Sequence, residues 1–294
     1  MTEAVLSAPA APGRAPRLRW IPRSGPLISY TSIVISIVVL LFPIVWMVLT
    51  AFKTSEQAFR VPPVWWPQHP TVMPFAYAIS PVMLRFFANS VIIAGLSAVA
   101  GTLIGAATAY AISRGRHWSL DALLVFMLGS LAFPLPLLMI SMYATLAWLG
   151  LLNSYGAVVI GDTVLTLPIV IWLLKGFIDG LPIEVEESAY LEGAGPIRII
   201  WSIVLPMLRP GFTAAGIYVF VTSWNEFILG LTFTTSTDMR PLPAGISLAF
   251  LQEFQYQWPE MMAVATIATL PILLLFIAFQ RNFVEGVTAG AVKH

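Results

Sequence analysis

The chain has 294 residues, of which 58% are hydrophobic and 10% are charged. So little polar surface cannot cover a water-soluble domain of this length, and the composition predicts a membrane protein. A formal net charge of +1 indicates no nucleic-acid partner, and the lack of cysteine excludes disulfides, thiol catalysis and thiolate metal sites.

The N-terminal residues 1–24 are rich in Ala, Pro and Arg and are predicted to form a disordered cytoplasmic tail. The rest of the chain, residues 25–294, is predicted to be one all-α membrane domain. It contains six apolar stretches that are long enough to cross a bilayer core of about 30 Å. The predicted spans are residues 27–51, 87–112, 120–149, 153–177, 211–233 and 259–280.

The positions of the basic residues predict the orientation of the spans, because Lys and Arg are retained on the cytoplasmic side. With both termini in the cytosol, only four basic residues lie outside: Lys53, Arg60, Arg85 and Arg240. We therefore expect a multi-pass protein of a cytoplasmic membrane with both termini inside.

Three features of the first half predict local structure. Residues 53–86 are rich in Pro and Trp, which favours an irregular external segment that either anchors the chain at the membrane interface or docks an external protein. Gly101 and Gly105 in the second span should allow another helix to approach closely. Pro134 and Pro136 should break or kink the third span.

The polar loop of residues 179–210 is predicted to form two short helices. Pro182 suits a first helical turn, Gly193 suits a helix end, and Pro196 can begin the next helix. The second helix should present one apolar face, formed by Ile197, Ile200, Trp201 and Val204. Such a loop is suited to being held by a soluble protein, although it could also be an interfacial cap on the helix bundle.

Two carboxylates fall inside predicted spans, where a charge is costly and should face the bundle interior. Asp162 lies in the fourth span, and Glu226 follows Trp224 and Asn225 in the fifth. These four residues are candidates for a pathway or gate, because amide and carboxylate groups can hydrogen-bond to a polar solute and an indole can stack on it. The alternative for Glu226 is a hydrogen bond between helices.

No catalytic or metal site is predicted. The sequence lacks a Gly-rich phosphate loop that ends in Gly-Lys-Ser/Thr. Its three histidines, His69, His117 and His294, have no metal-ligand spacing. We therefore expect a non-catalytic chain without a cofactor of its own.

The run from Glu187 to Pro206 fits the pattern E-x-A-x3-G-x9-I-x-L-P. In this pattern the chain resembles the permease subunits of ATP-binding-cassette (ABC) importers, and its C-terminal run from Gln280 to Lys293 is similar to that of the maltose-type carbohydrate permeases. The resemblance implies a type I importer transmembrane domain with six transmembrane helices and a cytoplasmic coupling helix. It implies that Glu187, Ser188, Ala189 and Gly193 couple the loop to the ATPase, with Ile203, Leu205 and Pro206 joining this coupling loop to the fifth span. It also implies a C-terminal tail that contacts the ATPase and includes Gln280, Arg281, Phe283, Gly286, Thr288 and Gly290.

The resemblance also implies the partners and the location. They are a second permease subunit, two ATP-binding subunits that carry ATP and Mg, an extracytoplasmic sugar-binding protein and the lipid of a bacterial or archaeal cytoplasmic membrane. The cargo is expected to be a di- or oligosaccharide, with glycerol phosphate or another small solute as the alternative. A rival function is an autonomous channel or ion-coupled carrier, which would transport without an ATPase.

Overall fold

The computed structural model describes residues 26–115, 117–252 and 257–291, and every regular element in these ranges is a helix. The predicted N-terminal tail, residues 1–24, lies outside the described residues. The chain divides into two compact units, one that ends at Val45 and one that begins at Trp46. Among the described residues, the first unit holds only the beginning of helix α1, Pro26–Ala51, whose side chains from residue 29 to residue 45 are all exposed.

The second unit contains thirteen further α-helices among its described residues. In chain order they are α2 Ser55–Ala58, α3 Met73–Ala78, α4 Pro81–Arg114, α5 Trp118–Gly129, α6 Leu135–Trp148, α7 Tyr155–Asp179, α8 Ile183–Leu191, α9 Pro196–Ile199, α10 Leu205–Met207, α11 Arg209–Trp224, α12 Ile228–Phe233, α13 Leu242–Gln252 and α14 Trp258–Ala291. A π-helical turn, Ile200–Val204, joins α9 to α10.

Within the described ranges, four helices are long and apolar enough to cross a membrane: α1, α4, α7 and α14. Two bent pairs could each complete a further span. In the first, the α5 segment meets α6 at an angle of 106°, and in the second, residues 196–207 meet α11 at 75°. The first bend lies at Pro134, where the sequence predicts a break, because proline lacks the N–H that a continuous helix needs.

The predicted fifth span, residues 211–233, is not a single helix. Helix α11 ends at Trp224, and α12 begins only at Ile228. The break has a local cause, because the side chain of Glu226 bonds the free N–H groups at the start of α12.

Helices α4, α7 and α11 form the centre of the second unit, and small residues let them approach closely. A Cβ atom built on Gly105 would lie 2.4 Å from Val170 Cγ1 on α7, and one on Gly101 would lie 3.4 Å from Val219 on α11. The predicted close helix contact at this glycine pair is therefore made within the chain. The main apolar cluster extends from these helices to Ala189 in α8, so the loop after α7 is packed onto the helix bundle.

Candidate functional site

The loop between α7 and α11 contains the predicted glycine turn. Gly193 has a φ of +86°. The Gly193 N–H donates to the Tyr190 carbonyl at 3.0 Å, and the Ala194 N–H donates to the Ala189 carbonyl at 3.0 Å. These two bonds form a Schellman motif, which requires the left-handed backbone that glycine adopts without a steric penalty.

The apolar face predicted for the second loop helix differs in the structure. Val204 is buried, but Ile197 and Trp201 are 72% and 65% exposed, and Ile199 is buried instead. The π-helical turn explains the difference, because its wider spacing rotates the side chains that follow. The interval between the two buried residues is therefore five positions rather than four.

The four most exposed large apolar side chains of this loop, which we call the loop face, are Tyr190, Leu191, Ile197 and Trp201. Leu191 is 88% exposed. Proteins rarely leave a cluster of large apolar side chains uncovered outside a binding surface. The loop is therefore a candidate contact for another molecule.

The residues of the E-x-A-x3-G pattern occupy different environments beside the loop face. Glu187 and Ser188 are exposed, and the Ser188 hydroxyl donates to the Val185 carbonyl at 3.0 Å. Ala189 is buried against the helix bundle. Of the remaining three predicted residues, Ile203 and Leu205 are half-buried and Pro206 is exposed.

A partly buried ion pair fixes α8 to the end of α4. Arg114 Nε and Nη2 donate to Glu186 Oε1 at 2.8 and 2.6 Å, and the Tyr110 hydroxyl donates to Glu186 Oε2 at 2.8 Å. The side chains of Arg114 and Glu186 are 17% and 12% exposed. Sequence reasoning missed this contact, because the acids of α8 suit the helix dipole equally well and the partners lie 72 residues apart.

Asp162 lies inside the bundle, where only 2% of its surface is exposed. Its Oδ2 atom accepts a hydrogen bond from Ser97 of α4 at 3.3 Å and a very short one from Ser223 of α11. The structure thus places this candidate pathway residue at a polar junction of α4, α7 and α11.

The consecutive residues Trp224, Asn225 and Glu226 each have a different environment and different contacts. Trp224 is buried and packs on Phe87 and Phe220, with ring centroids 5.3 and 5.9 Å away. The Asn225 side chain is exposed and donates to a backbone carbonyl one turn earlier. The Glu226 carboxylate accepts hydrogen bonds from the first three N–H groups of α12, at 3.0, 2.7 and 3.2 Å.

The predicted C-terminal contact begins at Gln280, whose side chain is exposed and donates to the Ile277 carbonyl at 3.3 Å. Helix α14 continues to Ala291, but the side chains after Gln280 lie outside the described residues. These include Arg281, Phe283, Thr288 and the positions of Gly286 and Gly290. Across the part of the chain that is described, no group of three or more His, Asp or Glu side chains could hold a metal ion.

Comparison with protein families decides the class to which this bundle and loop belong. The family described as "Binding-protein-dependent transport system inner membrane component" matches residues 101–289, more than half of the chain. The chain belongs to this family. The matched region extends from the middle of α4 through the loop face to the C-terminal part of α14, so a multi-pass membrane location follows from family and fold together.

Individual relatives agree with the family assignment over most of their length. The chain is 33% identical to the sulfoquinovosyl glycerol transport system permease protein SmoH of Agrobacterium fabrum, over 92% of this chain and 95% of that protein. It is 31% identical to the trehalose/maltose transport system permease protein MalG of Thermococcus litoralis, over 87% and 92%. The predicted carbohydrate-type permease resemblance is confirmed.

The fold is also found in a solved structure. It is similar to a chain in the crystal structure of a bacterial ABC transporter involved in the import of the acidic polysaccharide alginate. The two chains superpose with a TM-score of 0.75 at 16% sequence identity, over 87% of the present chain and 95% of the other. The predicted importer transmembrane-domain fold is thereby confirmed.

Proposed function

We propose that this chain is one of the two membrane subunits of an ATP-driven carbohydrate importer. The loop face carries the proposal, because its large apolar side chains are exposed beside Glu187 and Gly193 of the importer pattern. The names of the relatives, a sulfoquinovosyl glycerol permease and a trehalose/maltose permease, favour a carbohydrate cargo. The family assignment leaves the autonomous channel or carrier without support.

In this proposal the loop face binds an ATP-hydrolysing subunit in the cytosol. Since α8 follows α7 directly and α10 leads into α11, a displacement of the loop acts on both helices. The Schellman turn at Gly193 and the buried Ala189 hold α8 in a fixed position on the bundle. Movement of the ATPase can then be converted into movement of the helices that line the pathway.

The chain itself is proposed to be non-catalytic, with ATP and Mg bound by two partner ATP-binding subunits. The lack of a phosphate loop in the full sequence supports this division. A second permease subunit would complete the pathway, and an extracytoplasmic sugar-binding protein would deliver the cargo. The C-terminal end of α14, from Gln280 onward, is proposed as a second contact with the ATPase.

Among the four candidate pathway residues, we assign substrate contact to Asn225, since its side chain is exposed. Trp224 and Asp162 are buried, and the Glu226 carboxylate is occupied by the start of α12. These three would shape the pathway through packing, and a sugar hydroxyl would meet the amide of Asn225.

The proposal is tested by purifying the chain from its native membrane in mild detergent and identifying the bound proteins by mass spectrometry. We expect a second permease and an ATPase in the wild-type complex. Leu191→Glu should reduce the recovered ATPase by about tenfold or more, because it places a charge in an apolar contact. Val61→Glu is the matched control, since Val61 is 90% exposed but lies between α2 and α3, away from the loop in the sequence.

Transport is then measured in vesicles with the complete complex and labelled oligosaccharides. Uptake that needs ATP and the ATPase supports the importer function. Uptake by the chain alone, or full recovery of the ATPase by the Leu191→Glu variant, would overturn it.

A further inference from the structure

Helix α4 is an unbroken helix of 34 residues. At a rise of about 1.5 Å per residue its length is about 50 Å, which exceeds a bilayer core of about 30 Å. Of the four long apolar helices in the described chain, the other three carry internal prolines, Pro43, Pro168 and Pro271. Since proline weakens a helix locally, α4 is the one of these four helices that lacks this source of bending.

One end of α4 is fixed to the loop by Tyr110, Arg114 and Glu186, which we call the loop clamp. Both oxygens of Glu186 are engaged by α4, at distances of 2.6 to 2.8 Å. A fourth contact runs from Arg114 Nη2 to the Leu181 carbonyl at 3.4 Å. Glu186 therefore faces the bundle, and both of its carboxylate oxygens already accept hydrogen bonds from α4.

The opposite end of α4 holds the segment before α13 through Asn89 and Ser90, which we call the external clamp. Asn89 Nδ2 donates to the carbonyls of Asp238 and Arg240, at 2.8 Å each. The Ser90 hydroxyl accepts from the Leu242 N–H at 2.7 Å. Asn89 is only 2% exposed, so these bonds form away from water, where their geometry is well defined.

A third member joins the external clamp from α7. The Tyr155 hydroxyl donates to Asn89 Oδ1 at 2.7 Å. On the exposed side, Arg85 forms an ion pair with Asp238 at 2.9 Å. The segment of residues 235–242 is thus tied to α4 by side chains on successive turns of that helix.

Between the clamps, α4 is packed so closely that it must move with its neighbours. Gly105 lies against Val170, and Ser97 donates to Asp162. A displacement at one end of a stiff, closely packed helix reaches the other end with little loss, because protein interiors are dense and resist compression.

We propose that α4 is the mechanical link between the coupling loop and the external segment of residues 235–242, with Arg114 and Glu186 as the positioning pair at its inner end. This inference rests on the proposed function. Helix α7 and the path through α10 and α11 connect to the loop covalently, but Pro168 and the 75° bend make both paths more compliant. The ion pair gives α4 a direct connection to α8 that the chain itself does not provide.

The test uses the complete complex with ATPase and binding protein, and it exploits the lack of native cysteine. A fluorophore on Thr237→Cys, an exposed position in the external segment, reports movement on addition of ATP. Glu186→Ala should reduce this signal by about tenfold, because it breaks the partly buried ion pair that connects α8 to α4. Glu184→Ala, which removes an exposed acid from the same helix, should leave the signal unchanged.

The charge-exchanged variant, Arg114→Glu with Glu186→Arg, distinguishes positioning from direct contact with the ATPase. If the fluorescence signal recovers in this variant, the inference is supported. This holds whether or not the Glu186→Ala variant retains the ATPase. A signal of wild-type size in the Glu186→Ala variant would overturn the inference. So would loss of the ATPase from the Glu186→Ala variant together with failure of the charge-exchanged variant to regain it. If the wild-type chain neither retains an ATPase nor responds to ATP, the proposed function itself fails.

Discussion

Glu226 illustrates how one side chain can end one helix and begin the next inside an apolar stretch. Its carboxylate accepts three backbone N–H groups at the start of α12. Those groups have no carbonyl partner within α12, as at the start of every helix. The carboxylate therefore has a structural task that is independent of any cargo.

Glu226→Ala should lower the free energy of unfolding by about 1 to 2 kcal/mol, the usual value for the loss of a helix cap. The thermal stability of the purified chain in detergent measures this effect. Asn225→Ala is the control, because Asn225 is exposed and adjacent but leaves the N–H groups of α12 paired. Equal stability of the wild-type chain and the Glu226→Ala variant would contradict a capping role.

Residue-scale predictions from the sequence succeed where the signal is local. The left-handed turn at Gly193 and the break at Pro134 both follow from the backbone preferences of single residues. The cap formed by Glu226 escapes such reasoning, because a carboxylate in an apolar run indicates only a costly charge. The hydrogen bond from Asn89 to Asp238 joins residues 149 positions apart. A contact between residues so distant in the chain cannot be predicted from a single sequence.

At the scale of elements, the packing of α4 depends on where its glycines face. Gly105 lies against α7, and a Cβ atom there would be 2.4 Å from Val170 Cγ1. Valine cannot readily move away, since its χ1 angle is nearly fixed in a helix. At Gly95 of the same helix, an added Cβ atom would meet no atom within 4 Å.

Gly105→Ala should therefore destabilise the purified chain, because overpacking costs about 1 to 3 kcal/mol against a gain of about 1 kcal/mol in helix propensity. Gly95→Ala is the matched control and should be neutral or slightly stabilising. Thermal unfolding in detergent compares the two variants. If the Gly105→Ala and Gly95→Ala variants have the same stability, then α4 and α7 can move apart at little cost in free energy.

Element boundaries show the limit of hydropathy as a guide. The apolar run of residues 211–233 predicts one span, whereas α11 and α12 are separate helices. Composition records that a stretch belongs in an apolar environment but not whether its backbone is continuous. For the loop helices, the four-residue spacing predicts an apolar face, and the π-helical turn at Ile200–Val204 changes which side chains are buried.

At the scale of the whole molecule, the two ends of the second unit differ in their charged groups. Arg114 and Lys175 lie at the ends of α4 and α7 that adjoin the loop, whereas Arg85 and Arg240 lie near the external clamp. Most basic residues are predicted from the sequence to lie in the cytosol, and the loop end is therefore predicted to lie inside.

Single cysteines at exposed positions test this orientation, since the chain has no native cysteine. In intact cells, a membrane-impermeant maleimide should label Thr237→Cys and should not label Glu192→Cys, at the end of α8. Permeabilised cells provide the control, because both variants should then be labelled. Labelling of Glu192→Cys in intact cells would reverse the orientation and exclude a cytosolic ATPase at the loop face.

The loop face has a consequence for how this protein is made. A newly synthesised copy that has not met its partner presents Tyr190, Leu191, Ile197 and Trp201 to water. Such surfaces favour aggregation and recognition by the quality-control machinery of the cell. In the proposed complex, copies made in excess of the ATPase should therefore be short-lived, and the supply of the ATPase should limit the abundance of this subunit.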